Sequence, residues 1–370
     1  MKKFVLKPKI IFDNNPLSYI RMMCEKRFFV IADPFLFKNK MINKVAEEIG
    51  ERDCKIYSDI IPDPPLESVA KCIKEMTQYN PDCVIAVGGG SAIDTAKAVI
   101  FYGKNKNIKF VAIPTTSGTG SEVTAFSVIT DSKKGVKYPL VSDEMLPDVA
   151  ILDTDFVKSV PSHIVADTGM DVLVHAIEAY VSTVSNEFSD AFAEKAIKLT
   201  WDNLYKSYSQ TDNLEAKDKM HKASLMAGLA FNSASLGLNH AMAHNLGAKL
   251  KISHGRVNAI LLPRVIEYNS GVKSYNCTDV HKSAEKYAQI AKILGFEGNN
   301  TKILVRKLVS EVEKYIKKLG LPLDFKQCKV ELLYEDVGAI ADGTLKDNCI
   351  NTNPKQVKRE DVEQILNSLR

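Results

Sequence analysis

VIAVGGGSAIDTAKA, from Val84 to Ala98, decides how the first half of the chain is read. An apolar run rich in valine and isoleucine ends in three glycines, and an alanine-rich segment with helical spacing follows at once. Strand, tight turn and helix in that order make the repeating unit of an open α/β sheet. Glycine has no Cβ, so a phosphate can approach the backbone at Gly88, Gly89 and Gly90. The helix start then offers free N–H groups and a positive dipole end to a diphosphate. A ligand-free turn is the alternative, but three consecutive glycines exceed what a turn requires and favour a nucleotide. The spacing is not G-x-G-x-x-G, because Ile93 stands in place of the third glycine, and no G-K-[ST] follows. Ser91 with Asp94 also reads as a capping box.

Outward from this stretch, RFFVIAD (Arg27–Asp33) reads as a buried strand, with a helix following through Ile49. FVAIP (Phe110–Pro114) is a further strand, FSVITD and KYPLVS form a hairpin split by Ser132–Gly135, and VAILD (Val149–Asp153) is the last strand. Alternation of this kind predicts a Rossmann-like, mostly parallel sheet with helices on its faces. A second small-residue loop, PTTSGTGSE (Pro114–Glu122), follows FVAIP. Both loops sit at strand C-terminal ends, where open α/β sheets bind ligands. Asp33 closes its own strand well before the glycines. There it either holds an adenosine ribose hydroxyl or caps the next helix. From about Ser162 the texture changes, and stretches such as DVLVHAIEAYVS and AFAEKAIKLTWDNL read at helical period. Pro161 and Ser162 punctuate the boundary, which predicts an α/β nucleotide-binding domain over residues 1–161 and an all-helical domain over 162–370.

The helical half carries a histidine constellation. On a helix, positions i and i+4 share a face, which pairs Asp171 with His175 and His240 with His244. His254 follows, just before a glycine. A carboxylate and imidazoles on facing helices form a natural divalent-metal cage, suited to iron(II), zinc, cobalt or nickel rather than magnesium or calcium. A single helical histidine is more often a hydrogen-bonded core residue, but two such pairs and a third site favour a metal. His163, His221 and His281 have no such company and read as surface or capping residues. A metal beside a nucleotide-binding domain suggests Lewis-acid polarisation of an alcohol oxygen and hydride transfer to a nicotinamide.

Composition excludes other classes. At 370 residues the chain suits two domains, and 45% hydrophobic with 25% charged residues excludes intrinsic disorder. Net charge is +4, with no dense basic block carrying interleaved aromatics, so nucleic acid is not an expected partner. No apolar run approaches the roughly 18 residues of a membrane span, and Lys7 and Lys9 interrupt any signal-peptide core. A cytoplasmic location is expected. The 7 cysteines are scattered, with no C-x-x-C, which suggests neither a disulfide framework nor a thiolate zinc site.

Five motifs carry a resemblance: GGGSAIDTAKA (Gly88–Ala98), PTTSGTGSE (Pro114–Glu122), GMDVLVHAIEAY (Gly169–Tyr180), HAMAHNLGA (His240–Ala248) and HGRVNAILLP (His254–Pro263). With them the sequence resembles the iron-containing (group III) alcohol dehydrogenases over nearly its full length. The resemblance implies a dehydroquinate synthase-like two-domain architecture, with metal and substrate between an α/β domain and a helical one. It implies Asp171, His175, His240 and His254 as ligands of Fe2+, with Zn2+ as the alternative, and His244 as a non-ligand catalytic histidine near the nicotinamide. The implied NAD(H) contacts are Asp33, Gly88, Gly89, Gly90, Ser91, Asp94, Thr115, Thr116, Gly118 and Lys137, with Asp33 selecting NAD. The stretch KGVKYPLVSDEMLPDVAILDTDFVKSVP is most similar to the 1-propanol dehydrogenase and ethanolamine-utilisation branch. That similarity implies a short-chain alcohol or aldehyde as substrate, a homodimer or higher homo-oligomer built near Phe4–Phe12, and housing in some cases in a bacterial microcompartment. Asn245 departs from the family, where proline is common. DNCINTNPK (Asp347–Lys355) resembles a pocket-lining segment that places Cys349 near the substrate; an inert buried cysteine is the alternative. Polyol, zinc-dependent glycerol-type or butanol dehydrogenases of the same superfamily, or a lyase of the dehydroquinate synthase type, are rival readings, and a non-catalytic nucleotide or metal sensor is a rival of another class. The spacing of Asp171 with His175 and of His240 with His254 favours the iron group.

Overall fold

Four of the strands in the first half are apolar apart from a leading Arg27 or Lys109, which buries them on both faces of one sheet. In the computed structural model, which describes residues 3–103, 107–132 and 136–370 apart from the side chains of Val136, Lys137 and Ala248, the chain forms two compact units. Val5–Ser159 make one, and Val160–Arg370 with Lys3 and Phe4 make the other. The strands of the first unit are β1 (Lys9–Ile11), β2 (Arg27–Ala32), β3 (Asp53–Tyr57), β4 (Cys83–Gly88), β5 (Lys109–Pro114), β6 (Phe126–Asp131), β7 (Val136–Val141) and β8 (Val149–Ile151). Its helices are α1 (Ser18–Arg21), α2 (Phe35–Lys38), α3 (Ile42–Ile49), α4 (Leu66–Tyr79) and α5 (Gly90–Gly103). Six strands form a sheet in the order β1-β8-β5-β4-β2-β3, and every neighbouring pair is parallel.

Side chains alternate across the sheet. Phe29, Ile31, Val84 and Ala86 face Val69, Met76, Ile93 and Val99 of α4 and α5. Phe28, Val30, Ile85 and Val87 face Leu17, Ile20, Val45 and Ile49 on the other side. β6 and β7 pair antiparallel with Phe126 opposite Val141, as the hairpin reading requires. The helix expected through Ile49 is two helices, because Lys40 between them adopts the left-handed conformation (φ 58°).

The second unit has helices and no strand among its described residues: α6 (Ser162–Val181), α7 (Glu187–Ser209), α8 (Leu214–Ala234), α9 (Leu238–Leu250), α10 (His254–Ser270), α11 (Ala284–Ile293), α12 (Thr301–Lys318), α13 (Tyr334–Lys346) and α14 (Arg359–Ser368). Leu238, Met242 and Leu246 of α9 share a core with Val257, Ile260 and Leu261 of α10 and with Ile340 and Leu366 of α13 and α14. Among the described residues no helix is long and apolar enough to cross a membrane.

Candidate metal centre and nucleotide loops

Three helices of the second unit bring the polar cluster together. α6 contributes Asp171 and His175, α9 contributes His240 and His244, and His254 is the first residue of α10. The start of α10 is clamped to α6. Ser253 Oγ donates to Asp167 Oδ2 at 2.6 Å, and Arg256 donates through Nε to Oδ1 at 3.0 Å and through Nη2 to Oδ2 at 3.2 Å. Gly255 permits the approach, since a Cβ there would lie 2.0 Å from Asp167 O and 3.3 Å from Asp171 Cβ.

Asp171, His240 and His254 offer ligand atoms that all lie within 4.8 Å of one another. Asp171 Oδ1 is 3.6 Å from His240 Nε2 and 3.8 Å from His254 Nε2. One cation at about 2.0–2.2 Å from each donor spans such separations. His240 Nδ1 lies 2.6 Å from Glu178 Oε2, so Nδ1 carries the donated hydrogen and Nε2 faces Asp171. Burial alone raises a carboxyl, but the imidazoles of His175, His254 and His240 hold Asp171 well below the usual carboxylate range. Burial also opposes charge on His240, yet Asp171 and Glu178 outweigh it and push its pKa up to about 9. The carboxylates that favour a proton at Nε2 equally favour a metal cation there. Burial, partly offset by Asp171, lowers His254.

His175 stands beside this group rather than in it. Its ring stacks on His240 at 4.4 Å between centroids and on Phe231 at 4.6 Å. His244 is also outside it, with its ring stacked on His254 at 5.4 Å and Nδ1 2.8 Å from Asp347 Oδ2. Asp347, His244 and Cys349 form a second close group of potential ligand atoms. Burial and the neighbouring Asp347 carboxylate push the Cys349 thiol well above its ordinary pKa, so it stays protonated. Asn245 turns its amide back to donate to Ala241 O at 2.9 Å, a bond inside α9 that proline has no donor to make. Of the three remaining histidines, His163 is exposed and His281 Nδ1 pairs with Ser283 Oγ at 2.9 Å, but His221 corrects the sequence reading. It is buried in the core on α8, where desolvation lowers its pKa to about 4.

In the first unit, the two small-residue loops touch. Thr115 N donates to Gly88 O at 3.0 Å, and a Cβ at Gly90 would lie 2.9 Å from Thr119 Cγ2. Thr116 lies against Gly89, Gly118 is buried in the second loop, and Ser91 is partly exposed in the first turn of α5. Asp33 is next to the glycines because β2 neighbours β4, and its N–H donates to Val87 O at 2.9 Å. Asp33 Oδ1 accepts from Phe35 N at 2.9 Å, which is the capping role. Asp94 does not form the expected box with Ser91. Its oxygens accept from Ser121 Oγ at 2.6 Å and Val128 N at 2.9 Å, tying α5 to the second loop and the hairpin. Buried Lys97 adds to this tie through Ser121 Oγ at 2.8 Å, Thr124 Oγ1 at 3.0 Å and Phe126 O at 2.7 Å. The side chain of Lys137 lies outside the described residues.

Sequence reasoning passed over Glu178, Asn258, Asp167 and Asp347. Glu178, Asn258 and Asp347 lie inside quoted stretches, and their amide or carboxylate groups were the available signal.

The chain is matched by two family models, "Iron-containing alcohol dehydrogenase" over residues 7–154 and "Fe-containing alcohol dehydrogenase family, C-terminal" over residues 165–369. The 1-propanol dehydrogenase PduQ of Citrobacter freundii is 38% identical over 377 residues, covering 100% of both chains. The NADPH-dependent butanol dehydrogenase of Clostridium saccharobutylicum is 37% identical over 390 residues, covering 99% of this chain and 97% of its own. Among solved structures, the alcohol dehydrogenase from Oenococcus oeni superposes with a TM-score of 0.93 at 30% identity, covering 100% of both chains.

Proposed function

The chain belongs to the iron-containing alcohol dehydrogenase family, and from that premise we propose that it transfers a hydride between NAD(H) and a short-chain primary alcohol or aldehyde. Propanol/propanal or ethanol/acetaldehyde is the expected substrate pair, with aldehyde reduction in fermentation or in diol or ethanolamine use as the working direction. The observation that carries this reading is the convergence of Asp171, His240 and His254 from three helices. These residues, completed by His175, hold a divalent cation, iron(II) by donor type and zinc as the alternative. The cation supplies Lewis acidity at the substrate oxygen, and the nicotinamide supplies or accepts the hydride. His244 moves the hydroxyl proton between substrate and water; Asp347 fixes the ring, and the His244 side chain is 34% exposed, which gives solvent a path to it.

The dinucleotide lies across the glycine loop and the start of α5, with Gly88, Gly89, Gly90, Ser91, Thr115, Thr116, Gly118 and Lys137 as contacts. Asp94 serves from behind, holding the second loop in place. Asp33 selects NAD by accepting from the ribose diol. NADP is the second reading, supported by the NADPH-dependent relative and by the use of Asp33 Oδ1 as a cap. The two-unit plan is assigned to the dehydroquinate synthase-like architecture. A homodimer through β1 is supported by its place at the sheet edge and by exposed Leu6 and Phe12. The cytoplasm, free or within a microcompartment, is the proposed location.

Metal content and turnover of three variants test the assignment. His240→Ala and His254→Ala lose the cation and nearly all activity, whereas His244→Ala keeps the cation and loses rate. Loss of metal in His244→Ala with retention in His240→Ala overturns it.

A further inference from the structure

One side chain among the three ligand atoms is not itself a ligand. Asn258, one turn after His254 on α10, is fully buried. Its Nδ2 lies 2.6 Å from Asp171 Oδ1, 3.1 Å from His254 Nε2 and 3.2 Å from His240 Nε2. An amide nitrogen offers two hydrogens and no free lone pair, so it donates here rather than coordinates. The direction of the amide is fixed from behind. Asn258 Oδ1 accepts from Asn239 Nδ2 at 2.8 Å, and the same donor reaches Asn258 O at 3.2 Å. Asn239 is fully buried too, directly precedes His240, and donates its own N–H to Glu178 Oε1 at 2.7 Å. Turned over, the Asn258 amide would set an oxygen against a carboxylate oxygen and leave two donors facing each other at Asn239. Hydrogen-bond polarity therefore runs one way, from Asn239 through Asn258 to Asp171.

Taking the proposed ligand set as given, we propose that Asn258 is the positioning residue of the cation pocket. With Asn239 behind it, it aims Asp171 Oδ1 at the two imidazoles and holds the three donors at a separation that one divalent cation spans. It thereby sets how tightly the cation is retained, without touching substrate or cofactor. Groups that orient ligands in this way typically control metal affinity by about 10–100-fold.

The test uses the full-length protein stripped with a chelator and titrated with cobalt(II), against a competing chromophoric chelator. Asn258→Ala is expected to bind cobalt about 10–100-fold more weakly, with altered ligand-field bands, while the melting of the stripped protein changes little. Asn239→Asp gives a second, sign-discriminating arm. The new acceptor draws Asn258 Nδ2 away from Asp171, so binding weakens, whereas an added negative charge acting alone would tighten it. Affinity and bands unchanged in Asn258→Ala, or tighter binding in Asn239→Asp, overturn the proposal. Should Asn258→Ala fail to fold, Asn239→Asp decides. Asp171→Asn separates the two levels of the argument. If it retains cobalt, the ligand set itself is wrong and the proposal falls with it; if it loses cobalt while Asn258→Ala does not, the positioning role alone is wrong.

Discussion

Replacing Glu178 by glutamine changes one atom and inverts one hydrogen-bond polarity. The carboxylate is buried and accepts from Asn239 N at 2.7 Å and from His240 N at 3.3 Å, and it lies 2.6 Å from His240 Nδ1. It presents acceptors to three donors and no donor of its own. Glutamine brings an NH2 group that must face one side. Facing Asn239, it opposes an N–H with nowhere else to go. Facing His240, it drives the proton from Nδ1 to Nε2, the nitrogen that points at Asp171, where the proton competes with a cation. Either way a charge-assisted bond worth about 1.5–3 kcal/mol is lost. At about 1.4 kcal/mol per decade, metal affinity should fall by roughly one to two decades. Anaerobic titration of the stripped protein with iron(II) measures it, with thermal melting recorded alongside. Unchanged affinity in Glu178→Gln would refute the argument that Glu178 sets the His240 tautomer.

Three further outcomes follow from the same geometry. Gly255→Ala places a Cβ 2.0 Å from Asp167 O, so α10 must shift against α6; we expect about 1–3 kcal/mol lost in denaturant unfolding and a sharp loss of bound metal, and wild-type values for both contradict the clamp. Asp33→Gly should narrow or invert a preference for NAD, mainly through the Michaelis constant for NADP, with metal content unmoved; equal kcat/KM ratios for the two proteins leave Asp33 as a cap only. His221 has a folded pKa of about 4 against an ordinary 6.5, so the unfolded chain binds more protons between those values. Stability is therefore full above the unfolded pKa and falls as pH drops towards 4, by about 3 kcal/mol for an independent group, and His221→Leu should flatten that acid limb in urea unfolding.

The central strands were legible because strands buried on both faces are continuous apolar runs, as in CVIAVG and FVAIP. β3, DCKIY, was not, because it is a short edge strand flanked by no long apolar run, with Cys54 and Ile56 exposed. That Asp33 neighbours the glycines was equally hidden, since it depends on β2 lying beside β4. The histidine pairs were visible in i,i+4 spacing, but spacing cannot separate a ligand from its neighbour. The stack of His244 on His254 and its contact with Asp347 set His244 apart from the Asp171, His240 and His254 group in three dimensions. Glu178 and Asn258 escaped for the same reason: their partners lie on other helices, 62 and 87 residues away in the chain. His221 was misread because an isolated polar residue carries no sign of whether its helix face is covered.

On the proposed function, this chain needs both a divalent cation at the Asp171, His240 and His254 group and a nicotinamide cofactor to interconvert an aldehyde and an alcohol. The most direct measurement is anaerobic NADH oxidation with propanal by chelator-stripped protein, before and after one equivalent of iron(II) per chain. No turnover is expected before addition, turnover after it, and no recovery in Asp171→Asn. Full turnover by the stripped protein, or recovery in Asp171→Asn equal to that of the unmutated chain, would contradict it.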